Sequence, residues 1–122
     1  MYVDGFLVPV PKANLDAYLE MARTCADIWK DHGAVEYWET VADDVKPGQW
    51  TSFPQAVQLQ DDEVVIFSWI MYPDRATRDA CNAKVMEDPR MKAFNAQTPV
   101  FDGKRMIYGG FTGAVEFGAA AR

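Results

Sequence analysis

The stretch that decides the fold is Val64-Val65-Ile66-Phe67-Ser68-Trp69-Ile70-Met71-Tyr72. It consists almost entirely of β-branched, aromatic and other apolar residues, which favour a strand. Successive side chains of a strand point to opposite faces. Both sets are apolar here, and Ser68 alone interrupts the pattern. The sequence therefore predicts a central strand that is covered on both faces.

A strand, a helix and a second strand are predicted on the N-terminal side. Residues 1–11 are rich in β-forming side chains. Asn14 is a predicted N-cap and Gly33 a predicted left-handed C-cap of the helix, and residues 34–41 form the second strand. Apolar residues recur at helical spacing between the caps, namely Leu15, Tyr18, Leu19, Ala22, Cys25, Ala26 and Trp29. This spacing predicts one buried stripe.

A similar order is predicted on the C-terminal side. Pro73 and Asp74 open a helix that runs to Glu87, and the Asp88-Pro89 pair ends it. Residues 90–96 predict a short helical turn, and residues 106–117 a last strand. This strand contains glycines at positions 109, 110 and 113, which either weaken it or mark bulges and a close approach of other groups to its backbone.

Residues 43–62 form the irregular part of the chain. Lys46-Pro47-Gly48 predicts a turn, and residues 54–57 a single helical turn. Connections longer than about 12–15 residues are uncommon in small domains and are often functional. This one also carries Trp50 and Phe53, which are costly to expose.

The predicted order β-α-β-β-α-β is that of the ferredoxin-like α+β fold, a four-stranded antiparallel sheet with two helices on one face. A chain of 122 residues is one domain, residues 1–122. Two helices cover one face of such a sheet, so the second apolar face needs a partner. The simplest partner is the same face of a second copy, which predicts a homodimer through the open sheet face. The alternative is a monomer in which residues 43–62 fold over that face.

Charge and targeting signals narrow the classes of function. Twelve basic against 18 acidic residues give a net charge of −6, and the basic residues are scattered among acids, which disfavours nucleic-acid binding. The N-terminus has no signal-peptide pattern, and no stretch approaches the roughly 18 apolar residues of a membrane span. We therefore expect a cytoplasmic protein without a membrane partner. Cys25 and Cys81, in apolar segments, are predicted to be buried thiols.

Asp4 is the most informative polar residue, because it stands within the first strand where the pattern requires an apolar side chain. A buried carboxylic acid of raised pKa can act as a general base. The alternative is a structural role, in which the strand bends at Gly5 and Asp4 binds nearby backbone or an arginine such as Arg105.

Tyr37 and Glu39 are two residues apart on the second strand, so their side chains point to the same face. A carboxylate beside a phenol can abstract a proton or bind a polar ligand. A tyrosine and a glutamate in this spacing are also common in ordinary strands, which is the alternative to a functional role. Aromatic walls for a ligand are predicted at Trp38, Trp69 and Tyr108, although such residues also serve as plain core packing.

His32 is the only imidazole of the chain, and it precedes Gly33 where a helix ends. This position is typical of a helix cap. A single histidine excludes any site that needs two, so neither a metal nor a cofactor is predicted. The glycines at 109, 110 and 113 match neither the Walker nor the dinucleotide-binding pattern.

Three segments resemble one family. They are Tyr2-Val3-Asp4-Gly5-Phe6 with Pro9-Val10-Pro11, the strand from Glu63 to Ile70, and Arg78-Asp79-Ala80-Cys81-Asn82-Ala83-Lys84-Val85-Met86 with Asp88-Pro89-Arg90-Met91. On these residues the chain resembles the YbaA-like family, domain of unknown function 1428. The resemblance implies a dimeric α+β barrel, in which two ferredoxin-like protomers pack sheet against sheet. The wider superfamily includes cofactor-free monooxygenases, isomerases and binding proteins, and such likeness of fold transfers no catalytic residue.

The sequence thus leads to two hypotheses. In the first, a cytoplasmic homodimer binds a small organic molecule in an aromatic-lined pocket and supports cofactor-free proton-transfer or monooxygenase-type chemistry. Asp4 or Glu39 is then the base, Tyr37 a hydrogen-bond donor and Trp69 a stacking wall. In the second, the dimer is a non-enzymatic interaction or ligand-sequestering module.

Overall fold

A computed structural model of the chain describes residues 1–118. Its sheet has the order β2-β3-β1-β4, and every neighbouring pair is antiparallel. The strands are β1 (Tyr2–Pro11), β2 (Glu36–Val41), β3 (Glu63–Tyr72) and β4 (Ile107–Thr112). This is the predicted ferredoxin-like α+β arrangement, with β3 in a central position. β4 is shorter than the predicted 106–117, because Tyr2, the first residue of β1, already pairs with Thr112.

Three of the four α-helices within residues 1–118 begin at side chains that cap them. The helices are α1 (Leu15–Asp31), α2 (Phe53–Ala56), α3 (Arg75–Glu87) and α4 (Pro89–Asn95). Asp74 accepts a hydrogen bond from the Thr77 backbone N–H at the start of α3. Asp88 does the same for the Arg90 N–H at the start of α4. A carboxylate in this position satisfies a backbone donor that the first helical turn leaves unpaired.

Asn14 departs from its predicted role. A short 3₁₀ turn over Lys12–Asn14 precedes α1, and the Asn14 side chain makes no capping hydrogen bond. Its Nδ2 instead donates to the Val100 carbonyl oxygen at 3.1 Å and holds the segment before β4 against α1. Gly33 has a φ of 119° and so ends α1 in the left-handed region as predicted.

The core lies between the helices and one face of the sheet. From α1, Tyr18, Ala22, Cys25 and Ile28 are buried against it. The sheet and α3 contribute further buried side chains, among them Ile66, Ile70, Tyr72, Cys81 and Val85. Both cysteines are buried and unpaired with each other, in agreement with the prediction.

The strand register settles which side chains share a face. Tyr37 pairs with Ile70, and Glu39 with Ser68, so both lie on the helix-covered face. Trp38 pairs with Trp69 on the opposite face, here called the open face. The open face includes the polar residues Glu36 and Thr40, and its apolar and glycine positions are Val3, Gly5, Leu7, Pro9, Trp38, Val65, Phe67, Trp69, Met71, Ile107, Gly109 and Phe111.

Residues 43–62 cover one end of the open face. Pro9 and Val65 are buried there, and the Phe53 ring lies 5.7 Å from the Phe67 ring. The rest of the open face stays accessible, with Trp38 51% and Phe111 64% exposed. Residues 43–62 therefore cover only part of the open face. The monomer alternative requires that this segment cover the face completely.

Candidate functional site

The six predicted site residues lie in separate parts of the molecule. Asp4 is buried at the β4 side of the helix-covered face, Tyr37 and Glu39 are beneath α1, Trp38 and Trp69 are on the open face, and Tyr108 is exposed on edge strand β4. The structure brings together Tyr37 and Glu39. It also stacks Trp38 on Trp69, with ring centroids 5.7 Å apart and planes at 15°. The two pairs do not share a pocket.

Glu39 is held by two phenols. The Tyr37 hydroxyl donates to Oε2 at 2.8 Å, and the Tyr18 hydroxyl donates to Oε1 at 2.7 Å. The period of β2 places Tyr37 beside Glu39, whereas Tyr18 reaches it from the buried stripe of α1. Sequence reasoning missed Tyr18, which it assigned to the core. The sequence held one signal for this contact, which is that Tyr18 places a phenol on the apolar stripe of α1. A buried tyrosine hydroxyl requires a hydrogen-bond partner.

The surroundings of Glu39 favour proton binding. Burial raises the pKa of the Glu39 carboxyl, and the two phenol hydrogen bonds oppose this shift. No salt bridge within residues 1–118 involves Glu39. Burial and then the Glu39 charge raise the pKa of Tyr18 and Tyr37, so both remain hydrogen-bond donors. The same two causes raise the pKa of Cys25 to about 11, which keeps it a thiol.

A groove of about 280 Å³ leads from solvent to Glu39, beside α1. Its wall is formed by Tyr37 and by four residues of α1, which are Leu19, Ala22, Arg23 and Ala26. This volume is just below the roughly 300–1,000 Å³ that is usual for ligand pockets, so the groove has room only for a molecule of a few heavy atoms. The carboxylate stands at the sheet end of the groove, and the exposed Arg23 adds a positive charge to its wall.

Asp4 forms a second, independent polar cluster. It is 8% exposed, and the Arg78 Nε donates to its Oδ1 at 3.1 Å. Arg78 also donates to the Tyr2 hydroxyl at 3.1 Å. Burial raises the pKa of Asp4, and the nearby Arg78 charge opposes this shift. These contacts favour the structural role of Asp4. Its arginine partner is Arg78, whereas the sequence suggested Arg105. The role of Asp4 as a general base stays a prediction.

Arg105 has other partners. Its guanidinium donates to Glu63 Oε2 at 2.6 Å and to Asp102 Oδ2 at 2.9 Å. It also donates to the Gln58 carbonyl oxygen at 3.0 Å. Arg105 therefore ties the segment before β4 to the end of the irregular 43–62 segment and to the start of β3.

Gly110 makes room for the Asp4 cluster. It lies opposite Asp4 on β4, and a Cβ atom there would collide with the side chains of Tyr2 and Arg78. The predicted close approach to this glycine is thus confirmed, and the group that approaches is the guanidinium that holds Asp4.

A buried hydroxyl near this cluster gives a stability prediction. Tyr72 Oη is buried beside Asp4, and within residues 1–118 it meets no hydrogen-bond partner at standard distance and angle. Tyr72→Phe is therefore expected to leave the free energy of unfolding unchanged or to raise it by about 1 kcal/mol. Tyr18→Phe is the contrast, because it removes a donor from Glu39 and should lower that free energy by about 1.5–3 kcal/mol. Urea unfolding followed by tryptophan fluorescence measures the free energy of unfolding of both variants. Equal losses of stability would contradict the conclusion that Tyr18 has a hydrogen-bond partner and Tyr72 has none at standard distance and angle.

His32 caps the end of α1 and binds the start of α4. Its Nε2 lies 2.8 Å from Asp88 Oδ2. Hydrogen bonds from Arg90 and then from His32 lower the pKa of Asp88. In the part of the chain that the structure describes, no three His, Cys, Asp or Glu residues are grouped as a metal site. No helix over the same residues combines the length and apolar character of a membrane span.

Comparison with solved structures defines the class. A NIPSNAP domain protein from Burkholderia xenovorans superposes with a TM-score of 0.61 over 93% of this chain and 95% of its own, at 15% sequence identity. Protein Atu4242 from Agrobacterium tumefaciens gives 0.59 over 93% and 94%, at 16% identity. Together with the strand order, these likenesses assign the fold to α+β proteins of the dimeric α+β barrel type.

The chain belongs to the family described as "Protein of unknown function (DUF1428)", whose model matches residues 1–103. It is 51% identical to the uncharacterized protein YbaA of Escherichia coli K12 over 115 residues, 94% of this chain and 97% of that one. The same values hold for YbaA of Shigella flexneri. The resemblance found in the sequence is thereby confirmed.

Proposed function

We propose that this protein is a cytoplasmic homodimer that binds a small organic molecule in the groove between α1 and β2, with Glu39 as proton acceptor. The observation that carries the proposal is the partly buried Glu39 carboxylate, which lies at a groove and is hydrogen-bonded by two tyrosines instead of a basic residue. A structural carboxylate at such a position is usually paired with a cation.

The proposed reaction is a proton transfer. An acidic C–H or O–H bond of the bound molecule breaks, its proton passes to a Glu39 oxygen, and the electron pair stays on the molecule as an anion. The raised pKa of Glu39 makes its carboxylate a better base than an exposed one. Arg23 supplies positive charge at the groove for the anion that develops. This chemistry consumes no metal or redox cofactor.

The open face supports the homodimer. Its accessible part includes Trp38, Phe67, Ile107 and Phe111, which are 51%, 44%, 45% and 64% exposed. Contiguous apolar surface of this kind on a soluble protein typically marks an interface. Because a two-fold axis brings identical patches together, a second copy offers the same aromatic surface in return.

Native mass spectrometry of protein purified from its own cells tests the proposal. We expect a dimer with an additional small mass that denaturation releases. Glu39→Gln, purified in the same way, should lose that mass, while Glu36→Gln should keep it because Glu36 is on the opposite face of β2. Equal retention by Glu39→Gln, or a wild-type dimer with no added mass, would contradict the proposal. If the dimer retains a small molecule but does not convert it chemically, the result would favour the second hypothesis, a non-enzymatic ligand-sequestering module.

The pH dependence of stability gives a further prediction. An acid whose pKa is raised in the folded state stabilises the fold most at low pH, and this contribution falls as pH rises through the folded-state pKa. The free energy of unfolding of the wild type minus that of Glu39→Gln should therefore fall from acid to neutral pH, by about 1.4 kcal/mol for each tenfold by which folding increases the proton affinity of Glu39. Urea unfolding of both proteins from pH 4 to 7 measures this difference, and a rise with pH would contradict the assignment.

A further inference from the structure

We infer that a second binding pocket, on the other flank of α1, takes a small apolar molecule that carries an amine. This pocket lies between α1, α4 and residues 97–101, and its volume is about 620 Å³. It is thus about twice as large as the groove at Glu39 and lies well within the usual range of ligand pockets.

The walls of the second pocket suit an apolar body. They include Met21, Cys25, Met91, Phe94, Val100 and Phe101. Thioether side chains are flexible and polarizable, so they adapt to ligands of different shape. Cys25 remains a neutral thiol, since burial and then the Glu39 charge raise its pKa to about 11. The proposed binding needs no covalent bond to this thiol.

The charge of the pocket lining favours a ligand whose polar group is positively charged. Within the described residues, Glu20 is the single charged side chain that lines the pocket, and the other polar lining residues are neutral. Glu20 is exposed, and no salt bridge in residues 1–118 includes it. An ammonium group can pair with this carboxylate at the rim, whereas a carboxylate ligand would be repelled. The net charge of −6 acts in the same direction.

Helix geometry separates this pocket from the groove at Glu39. Residues 19, 23 and 26 of α1 face the Glu39 groove, while residues 17, 20, 21 and 24 face the second pocket. With 3.6 residues per turn, these two sets lie on opposite flanks of the helix. Residues 17, 20, 21 and 24 can therefore be replaced without removal of a residue that lines the Glu39 groove.

Three probes of equal chain length test the inference, namely heptylamine, heptan-1-ol and heptanoate. Binding is followed through the NMR signals of the Met21 and Met91 methyl groups, which line the pocket. We expect heptylamine to bind about three- to fivefold more tightly than heptan-1-ol, the ratio that one partly exposed ion pair supports, and heptanoate to bind most weakly. Heptanoate that binds as tightly as heptylamine would overturn the inference, as would unchanged methyl signals with heptylamine.

Variants in α1 test whether Glu20 and the second pocket account for the preference for heptylamine. Glu20→Gln should make heptylamine bind no better than heptan-1-ol, whereas Asp16→Asn, at an exposed position outside both sites, should keep the wild-type ratio. Thr24→Trp should fill the pocket and abolish binding of all three probes. Glu39→Gln should bind them as the wild type does, so this inference and the proposed function can fail separately. If the probes still bind to Thr24→Trp, they do not occupy this pocket. If Glu20→Gln still prefers heptylamine to heptan-1-ol, Glu20 does not select the amine. Either result would contradict the inference.

Discussion

Replacement of Arg78 by alanine is expected to lower the free energy of unfolding by about 3–5 kcal/mol. Asp4 is 8% exposed and receives its charged hydrogen bond from Arg78 at 3.1 Å. Without the guanidinium, the carboxylate is left buried and uncompensated, and the Tyr2 hydroxyl loses a donor. A typical domain has a stability of about 5–15 kcal/mol, so this variant should be close to unfolding. Urea unfolding followed by tryptophan fluorescence measures the loss.

Arg75→Ala is the matched control, because the Arg75 side chain is 71% exposed and its nearest carboxylate contact, to Asp79, is 3.8 Å long. We expect its effect to stay within about 0.5 kcal/mol. The double variant Asp4→Asn with Arg78→Met removes both charges and should recover part of the loss. A loss below about 1 kcal/mol for Arg78→Ala would show that the pair does not hold Asp4.

Trp69→Glu is expected to convert the proposed homodimer to a monomer. Trp69 stacks on Trp38, and the Phe67 ring meets it edge-on at 5.4 Å, so it lies at the centre of the aromatic part of the open face. Buried tryptophans in interfaces are each worth about 2 kcal/mol or more, at least a 30-fold change in Kd, and an unpaired carboxylate adds a desolvation cost. Sedimentation equilibrium at micromolar concentration measures the change in mass.

Met86→Glu controls for the added charge. Met86 is 52% exposed on α3, on the helix side of the sheet. We expect this variant to remain a dimer. A wild type that sediments as one chain, or a Trp69→Glu variant that sediments as two, would contradict the interface that we propose.

Local pattern explains most of the fold. The two-sided apolar character of residues 64–72 correctly indicated a central strand, and the helices were predicted to within a few residues. Errors occur where tertiary contacts override local preference. β4 ends early because only Met1 precedes Tyr2, the partner of Thr112, and the Met1 carbonyl oxygen accepts one last backbone hydrogen bond from Gly113. Asn14 binds the Val100 carbonyl oxygen instead of capping α1.

The candidate site was predictable in part. The spacing of Tyr37 and Glu39 was enough to place their side chains together, because the two-residue period of a strand is local. Tyr18 is 21 residues from Glu39 along the chain, and its contact depends on how α1 lies across the sheet. Trp38 and Trp69 were expected to line a pocket, yet the register places them on the open face.

The sequence by itself determined the order of the elements, the buried stripe of α1 and the need to cover two faces of β3, because hydrophobic period and turn residues act over a few positions. Tertiary structure decided which polar groups meet. Asp4 pairs with Arg78, 74 residues away, and not with Arg105, because the position of α3 over β1 selects the guanidinium within reach. Side-chain hydrogen bonds require atoms within about 3 Å, and only the packed arrangement of helix and sheet sets distances of that size.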